Sequence, residues 1–130
     1  MDDRDRLRLL VDALRLVASP FNVQVSVLPD FVHVPDEILN AIQFELVLGL
    51  AHTEHLTESQ AAQFDSLEAF MDTLVWRPEW DEYPLALEAV RADPWWEELR
   101  SRARALLASL GEDHTPPTME GIVYIRGSGG

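Results

Sequence analysis

Three side chains in the first half of the sequence have types and spacing that suit metal binding or acid–base chemistry. Glu45 falls within the most apolar stripe of a predicted helix, and His52 and His55 follow on the same side of it. A carboxylate and two imidazoles can bind a divalent cation or transfer protons. Alternatively, the helix ends near Ala51, the histidines lie in a polar loop, and Glu45 pairs with an arginine. This alternative is favoured, because neither an HExxH motif nor a fourth ligand is identifiable.

A second group of side chains suits binding rather than catalysis. Asp65, Glu68 and Asp72 lie at positions i, i+3 and i+7 of a predicted helix, with no basic residue within four positions of any of them. Like charges at this spacing destabilise a helix by a few tenths of a kcal/mol. A cationic partner would offset the repulsion, although hydration alone is the simpler explanation.

The segment after this helix mixes acids with aromatic side chains. Trp80 lies between two acidic residues, and tryptophan is over-represented among the residues that dominate interface energies. We therefore predict that Trp80 anchors a partner and that the surrounding carboxylates make charge contacts. The predicted partner-binding residues are Glu68, Asp72, Glu79, Trp80, Asp81 and Glu82.

The overall charge favours a basic protein as that partner. The formal net charge is −13, and residues 16–99 hold 16 acidic residues against two arginines. Such a surface attracts basic proteins and repels phosphate, so direct nucleic-acid binding is disfavoured. Solubility alone would also explain the acidity. The absence of cysteine excludes disulfides and thiolate catalysis, and no cofactor fingerprint is present, so we expect neither a cofactor nor enzymatic activity.

The sequence patterns around these residues predict an α+β fold. We predict four to five helices packed around a small sheet of two to three short strands, in a single domain over residues 1–126 with a flexible Gly/Ser tail at 127–130. Residues 84–91 fit either a helix or a strand, and the helix is preferred. The helices are predicted at 5–18, 35–51, 57–76 and 93–110, and the strands at 21–28 and 122–126, with 31–34 as a strand or an extended entry to the next helix.

Two segments of the sequence resemble the barstar family of small acidic ribonuclease inhibitors. Residues 67–74 (LEAFMDTL) are similar to the second helix of that family, and residues 82–88 (EYPLALE) to the strand that follows it. The resemblance implies that Glu68 and Asp72 match the carboxylates that insert among the phosphate-binding arginines of the inhibited enzyme. Residues 95–107 also look like the C-terminal helices of bacterial proteins, some of which are thought to be toxin immunity proteins.

The sequence therefore predicts a non-enzymatic, acidic binding module, most plausibly a bacterial immunity protein that occludes the active site of a basic toxin. No apolar run is long enough to cross a bilayer and the N-terminus lacks the layout of a secretory signal, so we expect a cytoplasmic protein. One alternative is a metal-binding or small enzyme domain that uses Glu45, His52 and His55. The other is a structural or regulatory adaptor with the same acidic face.

Overall fold

The computed structural model describes residues 2–29, 32–74, 85–113 and Thr115, and this part of the chain is helical. The predicted α+β fold is wrong, because the described residues form helices and contain no strand from which a sheet could be built. The predicted strand at 122–126 and the acidic loop at 77–83 lie outside the described residues. The helices are α1 (Asp3–Ala18), α2 (Phe21–Val27), α3 (Val34–Ala41), α4 (Phe44–Leu50), α5 (Glu58–Met71), α6 (Leu85–Ala92) and α7 (Pro94–Ser109).

Helix α1 lies at the centre of the core, where it contacts α3, α4 and α7. The Asp2 carboxylate caps its first turn by accepting a hydrogen bond of 2.9 Å from the backbone N–H of Asp5. Leu10, Leu14 and Val17 are fully buried at the helical spacing that predicted this element. The helix predicted at 5–18 is therefore confirmed.

The predicted strand at 21–28 is instead the seven-residue helix α2, and hydrogen bonds to the end of α1 explain why. Gln24 of α2 is 1 % exposed, and its Nε2 donates to the carbonyl oxygens of Leu16 and Val17, at 3.1 Å each. Arg104 Nε donates to the carbonyl of Ala18 at 3.1 Å. The last carbonyls of a helix have no intrahelical partner. The carbonyl of Leu16 also accepts the Ser19 backbone N–H at 3.2 Å, whereas those of Val17 and Ala18 are satisfied by these side chains. This requirement overrides the β-propensity of the alternating valines.

Arg100 of α7 connects the same region to α6. Its side chain is buried, and it donates to Gln24 Oε1 at 3.1 Å, to the carbonyl of Val90 and to Glu97 at 3.2 Å. Burial lowers the pKa of the Arg100 guanidinium, and the Glu97 carboxylate opposes that shift. One buried cation thus fixes α2, α6 and α7 relative to each other.

The single helix predicted at 35–51 is divided into α3 and α4. Ile42 and Gln43 adopt extended backbone conformations, with φ/ψ of −82/116° and −97/99°. The interruption places Ile42 in the core at 4 % exposure and leaves Gln43 exposed. Neither residue is a helix breaker, so the periodicity does not predict this division.

Capping residues define α5 and α7. The predicted capping box of Thr57 and Gln60 begins α5, although the helix ends at Met71 rather than near Trp76. Asp93 caps α7 as predicted, and Gly111 ends it with a positive φ of 74°. Residues 85–92 form α6, so the helix preferred for this segment is confirmed. The strand that the barstar resemblance implies at 82–88 is helical from Leu85 onward.

Candidate functional site

Helix α5 is fixed against α7 at both of its ends. Near its start, Gln60 Nε2 donates to the carbonyl oxygen of Ser109 at 2.9 Å. Just after its end, Thr73 Oγ1 accepts a hydrogen bond of 3.1 Å from the indole N–H of Trp95. The Phe70 ring stacks on Trp95 with 5.2 Å between the ring centroids. These contacts make the two helices an antiparallel pair and set which side of α5 faces outward.

The inner side of α5 carries its apolar residues, and the outer side carries carboxylates. Phe64 and Leu67 are buried in the core, at 0 % and 1 % exposure. Asp65, Glu68 and Asp72 are all exposed. The strip of acids that the sequence predicts is therefore a continuous feature of one surface, which is called the α5 acidic strip below.

The α5 acidic strip has no counter-charge within the described part of the chain. None of the ion pairs there involves Asp65, Glu68 or Asp72. Arg102 lies against α5, 4.4 Å from the centroid of the Phe70 ring, but its Nε donates to Glu98 at 3.1 Å. Most described arginines likewise pair with an acid of their own helix, namely Arg6, Arg15, Arg91, Arg100, Arg102 and Arg104.

An open groove of about 530 Å³ lies beside the strip, between α5 and the turn that joins α3 to α4. Glu68 lines it from α5, and Glu45 lines it from the start of α4. The rest of its lining consists of apolar and amide side chains, including Leu39, Asn40 and Phe44. Two carboxylates at the sides of a groove of this size would suit a long basic side chain entering from solvent.

The proposed metal-ligating set is not assembled in the structure. Glu45 is exposed rather than part of a buried stripe, because the interruption at Ile42 and Gln43 changes the phase of α4 relative to α3. Helix α4 ends at Leu50, so His52 and His55 lie in the turn that follows. Across the described residues, no three or more histidine, aspartate or glutamate side chains are grouped so that they could hold a metal ion.

Of the six residues predicted to bind a partner, two can be located. Glu68 and Asp72 are brought together on the α5 acidic strip. Glu79, Trp80, Asp81 and Glu82 lie outside the described residues, so their part in the site stays a prediction. Sequence reasoning missed the proximity of Glu45 to Glu68, because it depends on the division of α3 from α4.

Comparison of this chain with protein-family models, with curated proteins and with solved structures finds no match. Within the described part of the chain, no helix has the length and apolar character needed to cross a membrane.

Proposed function

We propose that this protein is an acidic binding module that neutralises a basic protein partner, as an immunity protein that occludes the active site of a bacterial toxin. The observation that carries the proposal is the α5 acidic strip: three exposed carboxylates on α5 and its C-cap residue, without an ion pair among the described residues. An unpaired acidic surface of this kind accelerates association with a basic protein and selects against acidic ones.

The chemistry of the strip suits a target whose active site handles anions. Nucleases and other enzymes of phosphate esters carry arginines and lysines where the phosphate binds. Carboxylates held on a helix can occupy those positions in place of the phosphate. The groove between Glu45 and Glu68 adds a second place for a basic side chain next to the strip. The Glu68 and Asp72 contacts implied by the barstar resemblance belong to the same proposal.

The first test is capture of a partner on the immobilised protein from a lysate of its native organism. We expect a basic protein to be retained at low ionic strength and released as the Debye length falls from about 30 Å at 0.01 M to about 8 Å at 0.15 M salt. The triple variant Asp65→Asn/Glu68→Gln/Asp72→Asn should fail to retain it. A carboxylate that meets an arginine in a desolvated interface contributes about 2 to 5 kcal/mol on truncation, or roughly 30-fold or more in affinity.

A matched control removes an equal number of negative charges at other positions. The variant Glu54→Gln/Glu88→Gln/Glu112→Gln changes exposed carboxylates on the loop before α5, on α6 and after α7. It should retain the partner with a modestly slower association. Equal loss of binding in both triple variants would show that net charge rather than the α5 acidic strip is responsible, and would contradict the proposal.

Neutralisation is tested separately from binding. A toxin gene directly upstream of the gene for this protein would identify the partner to purify. We expect the activity of the purified partner to fall in proportion to the amount of this protein added, up to one equivalent. Binding without loss of the partner's activity would instead support the alternative that this protein is a structural or regulatory adaptor.

A further inference from the structure

Helix α4 presents an apolar side chain to solvent next to the acidic groove. Leu48 is 72 % exposed, and among the described residues the next most exposed large hydrophobic side chain is Val25 at 38 %. A single exposed leucine is ordinary on a protein surface. Its surroundings therefore decide whether it has a role.

The residues around Leu48 on α4 form one outward face, at positions i, i+3 and i+4. Glu45, Leu48 and Gly49 are all exposed, and His52, in the turn after α4, is exposed as well. Gly49 has no positive φ, and a Cβ placed on it would meet only the guanidinium of Arg6, at 4.0 Å. Neither backbone conformation nor internal packing requires glycine there, although glycine is among the least favourable residues in a helix. Gly49 therefore leaves the backbone without a side chain at one position next to the exposed Leu48.

This face is continuous with the acidic groove through Glu45. Glu45 lines the groove together with Glu68 and the partly buried Phe44. Arg6, the cation near Gly49, is bound by Asp3 at 2.9 Å. An apolar centre with a charged rim is the usual arrangement of a protein–protein interface. A second copy of this chain is a poor occupant, because two surfaces of the same acidic protein would repel each other.

We propose that the outward face of α4 is the apolar anchor of the partner-binding surface. Its occupant is a basic protein segment that packs one apolar side chain on Leu48 and against the backbone at Gly49. A neighbouring arginine or lysine of that segment enters the groove between Glu45 and Glu68. This inference rests on the proposed function, since it specifies how the basic partner is recognised.

The test uses two synthetic peptides of equal length and equal arginine content. One has serine between its arginines, and the other has leucine at one of those positions. We expect the leucine peptide to bind the full-length protein about 10-fold more tightly by calorimetry, because burying a leucine side chain contributes that much or more. Amide shifts of the isotope-labelled protein should include α4 and α5 with the leucine peptide, and chiefly α5 with the serine peptide.

Two variants of α4 identify the anchor. Leu48→Ala should remove the 10-fold advantage and leave the affinity for the serine peptide unchanged. Gly49→Ala should reduce the advantage while keeping or raising the melting temperature, which a purely structural glycine would not do. Val25→Ala, at the other exposed aliphatic side chain, is the control and should change neither affinity.

The outcomes separate this inference from the proposed function. Equal binding of both peptides, or an affinity advantage of the leucine peptide that persists in Leu48→Ala, would contradict the proposed anchor on α4. Neither result would contradict the proposed acidic binding surface. Failure of both peptides to bind at low salt, or binding that persists in Asp65→Asn/Glu68→Gln/Asp72→Asn, overturns the acidic surface as well. Tighter binding of the leucine peptide that requires both Leu48 and the α5 acidic strip supports the anchor inference and the proposed function.

Discussion

Arg100 shows how a single side chain can determine the arrangement of several helices. Its guanidinium is removed from water, yet it meets the Gln24 amide oxygen, the Val90 carbonyl and the Glu97 carboxylate. A buried charge is tolerated only when it is paired and hydrogen-bonded in this way. Because the acceptors come from three helices, Arg100 specifies their relative positions as well as their contact.

Replacement of this arginine should therefore be costly. We expect Arg100→Met to lower the free energy of unfolding by about 3 kcal/mol, because the carbonyl of Val90 and the Gln24 amide oxygen would remain buried without a donor. Urea denaturation followed by circular dichroism measures the change. Arg102→Met is the control, since that guanidinium is exposed and should cost less than about 1 kcal/mol. Equal losses in the two variants would contradict the interpretation.

Asp12 should make the stability of the protein depend on pH. Burial raises the pKa of this carboxyl above its ordinary value of 3.8, and the nearby Arg15 opposes the shift. The folded state therefore holds this proton more tightly than the unfolded state does. The resulting stabilisation is present below 3.8 and is lost as the pH rises through the raised folded-state pKa.

Asp12→Asn mimics the protonated carboxyl, so it should stabilise the protein at neutral pH. Urea denaturation at neutral pH and well below 3.8 tests this, and the gain should disappear at the lower pH. Glu54→Gln, at an exposed carboxylate, should give no comparable gain. A destabilised Asp12→Asn at neutral pH would mean that the contact with Arg15, at 3.5 Å, outweighs the cost of burial.

At the scale of helices, the sequence predicts the ends that are set by local capping residues. It does not predict features that depend on contacts between distant helices. Thr57, Asp93 and Gly111 each satisfy backbone groups within a few residues, and the helix ends they mark occur as predicted. The identity of α2 depends on the side chain of Gln24 reaching carbonyls of α1 and the guanidinium of Arg100, which lies 76 residues away. No pattern within residues 21–28 contains that information.

The candidate site likewise has a part that the sequence predicts and a part that it does not. The exposure of Asp65, Glu68 and Asp72 follows from helical spacing and was predicted. The exposure of Glu45 and its position across the groove from Glu68 depend on a helix interruption between α3 and α4. Ile42 and Gln43 carry no local signal for that interruption, so the sequence does not predict it.

The capping box should account for a measurable part of the stability of α5. Thr57 Oγ1 accepts from the Gln60 backbone N–H at 3.1 Å, and Gln60 Oε1 accepts from the Thr57 N–H at 2.9 Å. We expect Thr57→Ala to lower the free energy of unfolding by about 1 kcal/mol. Ser66→Ala, at an exposed position within α5, should be neutral or slightly stabilising. Thermal denaturation compares the two, and an unaffected Thr57→Ala would show that packing on α7 alone holds the helix.

The α5 acidic strip should reduce the stability of the helix that carries it. Glu68 and Asp72 repel each other at i,i+4, and Asp72 lies at the negative end of the helix dipole. We expect Asp72→Asn to raise the free energy of unfolding by about 0.3 to 1 kcal/mol, measured in urea. Glu98→Gln, which loses its pair with Arg102, should not stabilise. A destabilised Asp72→Asn would reveal an internal partner for this carboxylate and weaken its assignment to binding.

At the scale of the whole molecule, the net charge of −13 should give opposite salt effects on folding and on binding. Added salt screens repulsion within the folded state, so the melting temperature should rise by a few degrees between about 0.01 M and 0.15 M salt. The same change should weaken capture of the basic partner. Calorimetry at both ionic strengths measures the two effects. A melting temperature that falls with salt would indicate that internal ion pairs outweigh the general repulsion.

The attachment of α5 to α7 at both ends has a consequence for recognition. The hydrogen bonds from Gln60 to Ser109 and from Trp95 to Thr73 hold the backbone between them before any partner arrives. If the proposed partner binds through α5, association does not have to order this helix, and the conformational entropy that such ordering would cost is spared. Encounter with the α5 acidic strip should then be limited by diffusion and orientation rather than by folding of α5.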